Sequence, residues 1–413
     1  MIQSPTEHAA LYVGRPGHPG DAPMARQPSA PAEGTPDGPA APFPSAAPPR
    51  LPVLRDVVRR WPVPETRLVL AGELGAGTVE YLRVLSGALD VAAVVTGRWT
   101  SAAARWEGLG DTPVLVPDRP EDMGRTAAEY AGRVSRRTPA GVVLQAPSGL
   151  WDAADEALLD GPAVRGLVKS AEWKETAPPG AASPPRLPVF TTVGSPLEPL
   201  LQEPAGQALA QGLEAALRQG LNRSAGDAAV GILAFGTGDA AVAAALRGVG
   251  ARVGVHDADP IRRCAAVLAG HRAMDRQELL QWADILVDPH GELLRDADAL
   301  ALLRDGAVVL TDGSPAGPSA PDRLAAGLTV VEEQDGIAVC RFKDNGLYVV
   351  AGAAPRHVDE QIVGRLHDLL CCEMYLCIRE LATRRYRPGA HRLSVEQCEE
   401  IAWMWCRTYG RSQ

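Results

Sequence analysis

The chain has 413 residues, enough for two or three domains, and its net charge of −9 argues against a surface that binds nucleic acid. No apolar run is long enough to cross a bilayer and no hydrophobic signal core is present, so we expect a cytoplasmic protein without membrane contact. The seven cysteines include no CxxC pair and match no common zinc spacing. We therefore expect reduced thiols and no metal.

Residues 1–50 hold twelve of the 36 prolines, with many alanine, glycine and serine residues. Such a segment cannot bury enough apolar surface to offset its ordering entropy, so we predict a disordered arm. From residue 51 short apolar runs alternate with helical patterns, which is typical of a parallel α/β sheet. We assign residues 51–206 to a first α/β domain, with strands predicted at 67–71, 91–95, 113–116, 141–144 and 188–193.

Residues 207–352 are predicted to form a second α/β domain. A helix at 207–219 leads into an apolar run at 230–235, which is bounded by glycine as a buried parallel strand is. Gly236, Thr237 and Gly238 make a turn, an alanine-rich helix follows at 239–247, and a strand at 251–255 leads to Asp257. The chain therefore has a β-α-β unit with an acidic residue about twenty positions after its glycine turn, as in Rossmann folds.

A glycine turn that leads into a helix N-terminus favours the binding of phosphate groups. Glycine lets the backbone approach a pyrophosphate closely, and the helix N-terminus offers unpaired N–H groups and a positive dipole end. The carboxylate of Asp257 would accept a ribose hydroxyl. The competing interpretation is a Rossmann domain that has kept its shape and lost its ligand.

The pattern of strands and helices continues to the C-terminus. Further strands are predicted at 307–310, 328–331, 337–341 and 347–350. A long helix at 358–383 occupies most of residues 353–385, which we assign to a helical return to the first domain. Residues 386–413 are predicted to contain a last helix at 395–409.

Four segments resemble a known family in order and spacing: ALRGVGARVGVHDADPI, GHRAM, ADILVDPHGELL and RYRPGAHRLSVEQCEEIA. They resemble the patterns AAALKGxGARVxVTExDPI, ADIFVTTTGN and YPVGVHxLPxxLDExVA of the S-adenosylhomocysteine hydrolases (adenosylhomocysteinases). The resemblance covers residues 51–402. It implies a Rossmann domain inserted in a split, substrate-binding α/β domain.

The resemblance also implies ligands and partners. Family members hold NAD tightly and act on an adenosine-containing small molecule, and they assemble as homo-oligomers. A tetramer or a dimer of this chain is therefore implied, and a hetero-oligomer with an intact family member is an alternative. The NAD-binding positions carried over from the family are Gly236, Thr237, Gly238, Asp257, Gly291 and Glu292.

The catalytic residues of the family are mostly replaced. The segment with two lysines and an aspartate corresponds to SPLEPLLQE at 195–203, where Glu198, Leu200 and Gln202 stand instead. A leucine cannot take up a proton. The candidates for a rewired site are Lys174, which is one of three lysines, its neighbour Glu175 and the surviving histidine, His357. The alternatives are a surface lysine and a polar residue that leads into a helix.

The glycine turn departs from the family too. Without gaps, the three glycines of the dinucleotide motif fall at Ala234, Gly236 and Asp239. A shift gives Gly236, Gly238 and Ala241 but shortens the helix by two residues. Asp239 would repel a pyrophosphate unless it points away as a helix cap. Asp257 favours NAD over NADP.

Three functions fit the sequence, of which we predict the first and keep the other two as alternatives. The first is a divergent NAD-binding protein, impaired in S-adenosylhomocysteine hydrolysis, that acts as a regulatory or partner subunit or on a different nucleoside-type substrate. The second is an active hydrolase with a rewired site. The third is a non-enzymatic interaction protein on a decayed Rossmann scaffold.

Overall fold

The computed structural model describes most of the chain. The described residues are 11–12, 50–72, 74, 76–96, 110–118, 122–147, 158–159, 161–170, 185–288, 292–311, 324–334, 337–351 and 364–410. They form two eight-stranded sheets with helices on both faces, which confirms the predicted α/β fold class. No helix in these ranges is both long enough and apolar enough to span a membrane.

The first sheet contains the strands β1 (Leu11–Tyr12), β2 (Thr66–Ala71), β3 (Asp90–Val95), β4 (Val114–Leu115), β5 (Gly141–Pro147), β6 (Val164–Ser170), β7 (Pro188–Thr191) and β16 (Gly389–His391). Their order across the sheet is β1-β4-β3-β2-β5-β6-β7-β16. All neighbours are parallel except β1 and β4. Counted from β2, the central six strands run 3-2-1-4-5-6, which is the doubly wound order of a Rossmann fold.

The second sheet contains β8 (Ala229–Ile232), β9 (Arg252–Val255), β10 (Arg272–Ala273), β11 (Ile285–Asp288), β12 (Ala307–Thr311), β13 (Leu328–Gln334), β14 (Ile337–Phe342) and β15 (Asn345–Ala351). Their order is β10-β9-β8-β11-β12-β15-β14-β13. The first six are parallel, and β14 and β13 extend the sheet antiparallel. Counted from β8, the strands run 3-2-1-4-5-8-7-6, so the first five repeat the order of the first sheet. The strand order therefore reverses between β8 and β11, and doubly wound folds place their ligand crevice at such a reversal, outside the carboxyl ends of the strands.

Ten helices are described: α1 (Pro52–Arg60), α2 (Ala76–Leu85), α3 (Met123–Ser135), α4 (Glu198–Leu221), α5 (Thr237–Gly248), α6 (Pro260–Leu268), α7 (Arg276–Trp282), α8 (Ala297–Leu300), α9 (Arg365–Thr383) and α10 (Val395–Tyr409). The helices α1, α2, α9 and α10 cover one face of the first sheet, and α3 covers the other. The helices α4 and α5 cover one face of the second sheet. The central strands β8, β11 and β12 are buried throughout, as strands covered on both faces must be.

Helix α4 joins the two cores. Leu201 and Ala205 pack in the core of the first sheet, whereas Leu209 and Leu213 pack in the core of the second. Pro204 lies inside the helix, directly before Ala205. The predicted boundary between residues 206 and 207 thus falls within one continuous helix that belongs to both units.

The C-terminal segments return to the first sheet. Helix α9 packs in its core, β16 pairs in parallel with β7, and α10 packs beside α1 and α9. Of the predicted arm, the structure describes Leu11–Tyr12, paired antiparallel to β4, and Arg50. The predicted helix at 358–383 is described from Arg365 onward, and the predicted strand at 230–235 ends at Ile232.

Candidate functional site

The glycine turn that follows β8 leads directly into α5. Gly236 is the N-cap, and its N–H donates to Oδ2 of Asp239 at 2.9 Å. The helix begins at Thr237, two residues earlier than predicted, and Asp239 lies in its first turn. Asp239 is only 5% exposed. Its carboxylate therefore caps the same helix end that would receive a pyrophosphate.

Asp257 follows β9 and is held against the glycine turn. Its Oδ2 accepts the N–H of Phe235 at 2.7 Å, and its Oδ1 accepts the N–H of Asp259 at 2.8 Å. The side chain is 7% exposed. A carboxylate has about four lone-pair positions, so both oxygens keep capacity for a further donor. The carboxylate is thus fixed at the carboxyl ends of β8 and β9, where the sequence predicts a ribose acceptor.

The carboxyl ends of β11 and β12 carry two polar residues that the sequence motifs do not single out. Asp288 ends β11, is 2% exposed, and accepts the N–H of Leu293 at 2.8 Å. Thr311 ends β12 and is the register partner of Asp288. Its Oγ1 is buried and has no hydrogen-bond partner among the described residues. The signal that the sequence offers here is an aspartate that closes the buried run ILVD.

Several predicted site residues lie outside the described part of the chain: Lys174, Glu175, His357 and Gly291. Glu292 is described, is exposed, and precedes a short 3₁₀ helix. The backbone of Thr237 begins α5. The structure therefore brings Gly236, Gly238 and Asp257 together at one turn, and the predicted catalytic residues stay predictions.

Residues 198–203, part of the segment that the resemblance aligns with the family's lysines, form the first turns of α4. Glu198 accepts the N–H of Gly194 and the side-chain amide of Gln202. Leu200 is 54% exposed. These contacts stabilise the start of a helix. Leu200 has no group that takes up a proton, and the carboxylate of Glu198 is already held by two hydrogen bonds.

A histidine and a cysteine form a buried pair in the first unit. His367 and Cys371 stand one turn apart on α9, with Nε2 and Sγ 3.3 Å apart. The imidazole lies against α2, because a Cβ added to Gly77 would come within 2.7 Å of Nε2. Both side chains are at most 6% exposed, which favours a structural role in the core.

The buried environment of the other cysteines of α9 disfavours metal binding. Burial raises the pKa of the Cys372 and Cys377 thiols well above the usual value, which favours the protonated thiol over the metal-binding thiolate. In the part of the chain that the structure describes, no group of three or more His, Cys, Asp or Glu is placed to hold a metal ion.

We expect buried His271 to make the folded protein sensitive to acid. Its ring packs edge-on against Phe235, and burial, together with the nearby charge of Arg247, lowers its pKa. Protonation therefore favours the unfolded chain, and stability falls as pH drops below about 6.5, by up to about 1.4 kcal/mol per pH unit. We expect His271→Leu to flatten the pH dependence of the urea-denaturation midpoint between pH 7 and 5. Parallel pH profiles for the two proteins would contradict this.

The glycine turn matches one part of a dinucleotide site and departs from another. Asp257 lies where Rossmann folds place the carboxylate that accepts ribose hydroxyls. Asp239 instead places negative charge beside the position of the pyrophosphate. A dinucleotide would therefore have to share the α5 N-terminus with a carboxylate.

Comparisons with known proteins find solved structures of low sequence identity to this chain. No family model matches the chain, and no curated protein matches it. Similar solved structures include a dipicolinate synthase from Bacillus halodurans, with 12% identity, 60% of this chain and 81% of that chain covered, and a TM-score of 0.36. The transhydrogenase from Sinorhizobium meliloti has 16% identity, coverage of 76% and 95%, and a TM-score of 0.39. The D-lactate dehydrogenase from Escherichia coli has 12% identity, coverage of 78% and 99%, and a TM-score of 0.39.

Likeness at this level says nothing about the ligand or the reaction of this chain. The assignment of a Rossmann-type fold stands on the strand order of the two sheets. Membership of the adenosylhomocysteinase family stays a prediction from the sequence.

Proposed function

We propose that the protein binds an adenosine-containing ligand in the crevice between β8 and β11, with the ribose hydroxyls donating to Asp257. The observation that carries this proposal is the fixed carboxylate of Asp257, held by the N–H groups of Phe235 and Asp259. A buried carboxylate with spare lone pairs beside a glycine turn is suited to a diol. Because the carboxylate repels a 2′-phosphate, NAD is preferred over NADP among dinucleotides.

We further propose that the protein does not hydrolyse S-adenosylhomocysteine efficiently and acts on a different nucleoside-type substrate or as a partner subunit. The family's lysines and aspartate correspond to the start of α4, where Glu198 and Gln202 bond to each other. Leu200 lacks any group that transfers protons. The reaction that the resemblance implies requires a base at this point, so its loss supports a changed activity.

Two measurements on the full chain test this proposal. Calorimetric titration with adenosine and with 2′,3′-dideoxyadenosine should show that loss of the hydroxyls weakens binding by at least about tenfold, since a site built for a hydroxyl rejects an analogue without it. Incubation with S-adenosylhomocysteine should release no homocysteine above background. Equal affinity for the two nucleosides would overturn the ribose assignment, and steady homocysteine release would overturn the loss of hydrolysis.

A further inference from the structure

A cavity of about 890 Å³ lies at the amino ends of the second sheet, and small-molecule sites have volumes of this order. The residues that directly precede β8, β11 and β12 line it, namely Ala228, Asp284 and Gly306, together with the C-terminal end of α4. The glycine turn lies at the opposite ends of these strands. Since β8 has four residues, roughly 13 Å of extended chain separates the cavity from that turn. A ligand in the cavity would therefore leave the candidate ribose site accessible.

Two arginines of the cavity wall are already paired with carboxylates. The Nε of Arg218 lies 2.5 Å from Oε1 of Glu214, and Nη1 of Arg304 lies 3.1 Å from Oδ1 of Asp284. The second oxygen of Asp284 is engaged as well, because it accepts the N–H of Ala229 at 2.9 Å. The charges of these side chains offset one another within the protein.

A third arginine of the wall, Arg223, is held in place without a carboxylate. Its Nη1 donates to the carbonyl oxygen of Gly306 at 2.7 Å, and its guanidinium lies over the ring of Tyr348, 5.3 Å from the centroid. Among the described residues Arg223 forms no ion pair. An arginine has five N–H donors, so most of those of Arg223 are available to a ligand.

Two carboxylates of the wall are not paired with a cation either. Oδ1 of Asp305 accepts the N–H of Gly346 at 2.8 Å, which leaves Oδ2 available. Asp227 is exposed and lies in the short 3₁₀ helix before β8. In the part of the chain that the structure describes, neither aspartate forms an ion pair.

Arg223 and Asp305 are nevertheless close to each other. Arg223 donates to the carbonyl of Gly306, the residue that follows Asp305, and the N–H of Gly306 donates to the carbonyl of Gly346 at 2.7 Å. Asp305 accepts the N–H of that same Gly346. The guanidinium and the carboxylate are thus fixed on one pair of backbone segments, with their nitrogen and oxygen atoms too far apart for an ion pair.

Opposite charges that are fixed near each other without pairing suit a ligand that carries both charges. A ligand carboxylate fits the fork of N–H groups of Arg223, and a ligand ammonium group fits the oxygens of Asp305 and Asp227. The two aspartates disfavour a purely anionic ligand, and Arg223 disfavours a purely cationic one. A free α-amino acid carries both groups on one carbon atom at neutral pH.

We propose that this cavity binds a free α-amino acid, with its carboxylate on Arg223 and its ammonium group on Asp305 and Asp227. The volume leaves space for a side chain beyond the two charged groups. Asn222 and Ser224 add polar groups to the wall, which favours a polar side chain. The site is separate from the candidate ribose site, so this inference does not depend on adenosine binding.

Thermal melts of the full chain with each of the standard amino acids provide the first test. A ligand that binds the folded protein raises the melting temperature, and we expect at least one polar amino acid to do so. Calorimetry then compares the amino acid that raises it most with its N-acetyl derivative, which lacks the positive charge, and its α-amide, which lacks the negative charge. We expect each derivative to bind at least about tenfold more weakly. No increase with any amino acid, or equal affinity for the derivatives, would overturn the inference.

Substitutions test the two contacts separately. Arg223→Gln removes the positive charge, and Asp305→Asn removes a negative charge while keeping an acceptor for the N–H of Gly346. We expect each to weaken binding of the amino acid by at least about tenfold. Arg223→Lys keeps the charge and can still lie over Tyr348, but it lacks the planar fork, so we expect an intermediate loss.

Arg252→Gln is the matched control. Arg252 is exposed at the amino end of the neighbouring strand β9, and it is not among the described residues that line the cavity. We expect its replacement to leave amino-acid binding unchanged, and urea denaturation checks that every variant is folded. Equal losses in Arg252→Gln and Arg223→Gln, or full affinity in both Arg223→Lys and Asp305→Asn, would overturn the assigned contacts.

Discussion

Replacing Asp368 by alanine is expected to lower the free energy of unfolding by about 4 kcal/mol, since three donors lose their acceptor and two of these hydrogen bonds are buried. Asp368 on α9 accepts the N–H groups of Val53 and Leu54, each at 2.9 Å, and the hydroxyl of Tyr409 at 2.8 Å. The N-cap residue of α1, Leu51, has no side chain that could cap the helix. The side chain that caps α1 is therefore that of Asp368, which is 314 residues from Leu54. Its hydrogen bonds connect α9 to both α1 and α10.

Urea denaturation measures this loss. Asp368→Asn is the control, because it keeps one acceptor oxygen in a side chain of equal size, and we expect a smaller loss of stability. Burial raises the pKa of Asp368 despite these donors, so its charged form carries a cost that asparagine lacks. An alanine variant as stable as the wild-type protein would show that the contact contributes nothing.

Replacing Gly206 by valine is expected to destabilise the protein by about 3 kcal/mol and to weaken ligand binding as well. A Cβ at this position would lie 2.5 Å from the Cβ of Ala241 and 2.8 Å from the backbone nitrogen of Val242. Both atoms belong to α5, whose first turn forms the candidate site. The two helices would have to separate, and α5 would move relative to β8.

Gly248→Ala is the matched control for this substitution. Gly248 lies at the other end of α5, where an added Cβ meets nothing within 4 Å. Alanine there should stabilise the helix by about 0.5 to 1 kcal/mol and leave binding unchanged. Thermal melts and adenosine titrations of both variants check the pair, and equal melting temperatures would contradict the close packing of α4 against α5.

Local patterns predict most of the second sheet. The glycine turn, the apolar run at 230–235 and the acidic residue at Asp257 are close together in the sequence, so their arrangement depends mainly on local geometry. The same holds for α10, whose Ser394 cap accepts the N–H of Gln397. In these elements the local propensity, the pattern of apolar residues and the packing all favour the same structure.

Local sequence patterns do not predict the elements whose form depends on distant contacts. Strand β6 contains Gly166 and the charged residues Arg165 and Lys169, which interrupt an apolar run. Gly166 is needed because a Cβ there would lie 2.3 Å from the carbonyl oxygen of Pro188 on β7. Strand β16 is three residues of a loop-like sequence that pair with β7 only in the tertiary fold.

The candidate site likewise contains residues that local spacing predicts and residues that come together only in the folded sheet. Asp257 is predictable because its spacing from the turn is local, and the sequence marks Asp239 as a residue that either repels a phosphate or caps the helix. Asp288 and Thr311 are not predictable in this way, because they meet only when β11 and β12 pair. No sequence pattern within either strand indicates that neighbour.

Ribose binding by Asp257 is tested most directly by a cycle of four dissociation constants. Adenosine and 2′,3′-dideoxyadenosine are each titrated into the wild-type protein and into Asp257→Asn, which keeps an acceptor for the N–H of Phe235. We predict that removing the hydroxyls costs at least about tenfold in the wild-type protein and little in the variant, because the lost contact is the same one. An equal cost in both proteins would contradict a ribose held by Asp257.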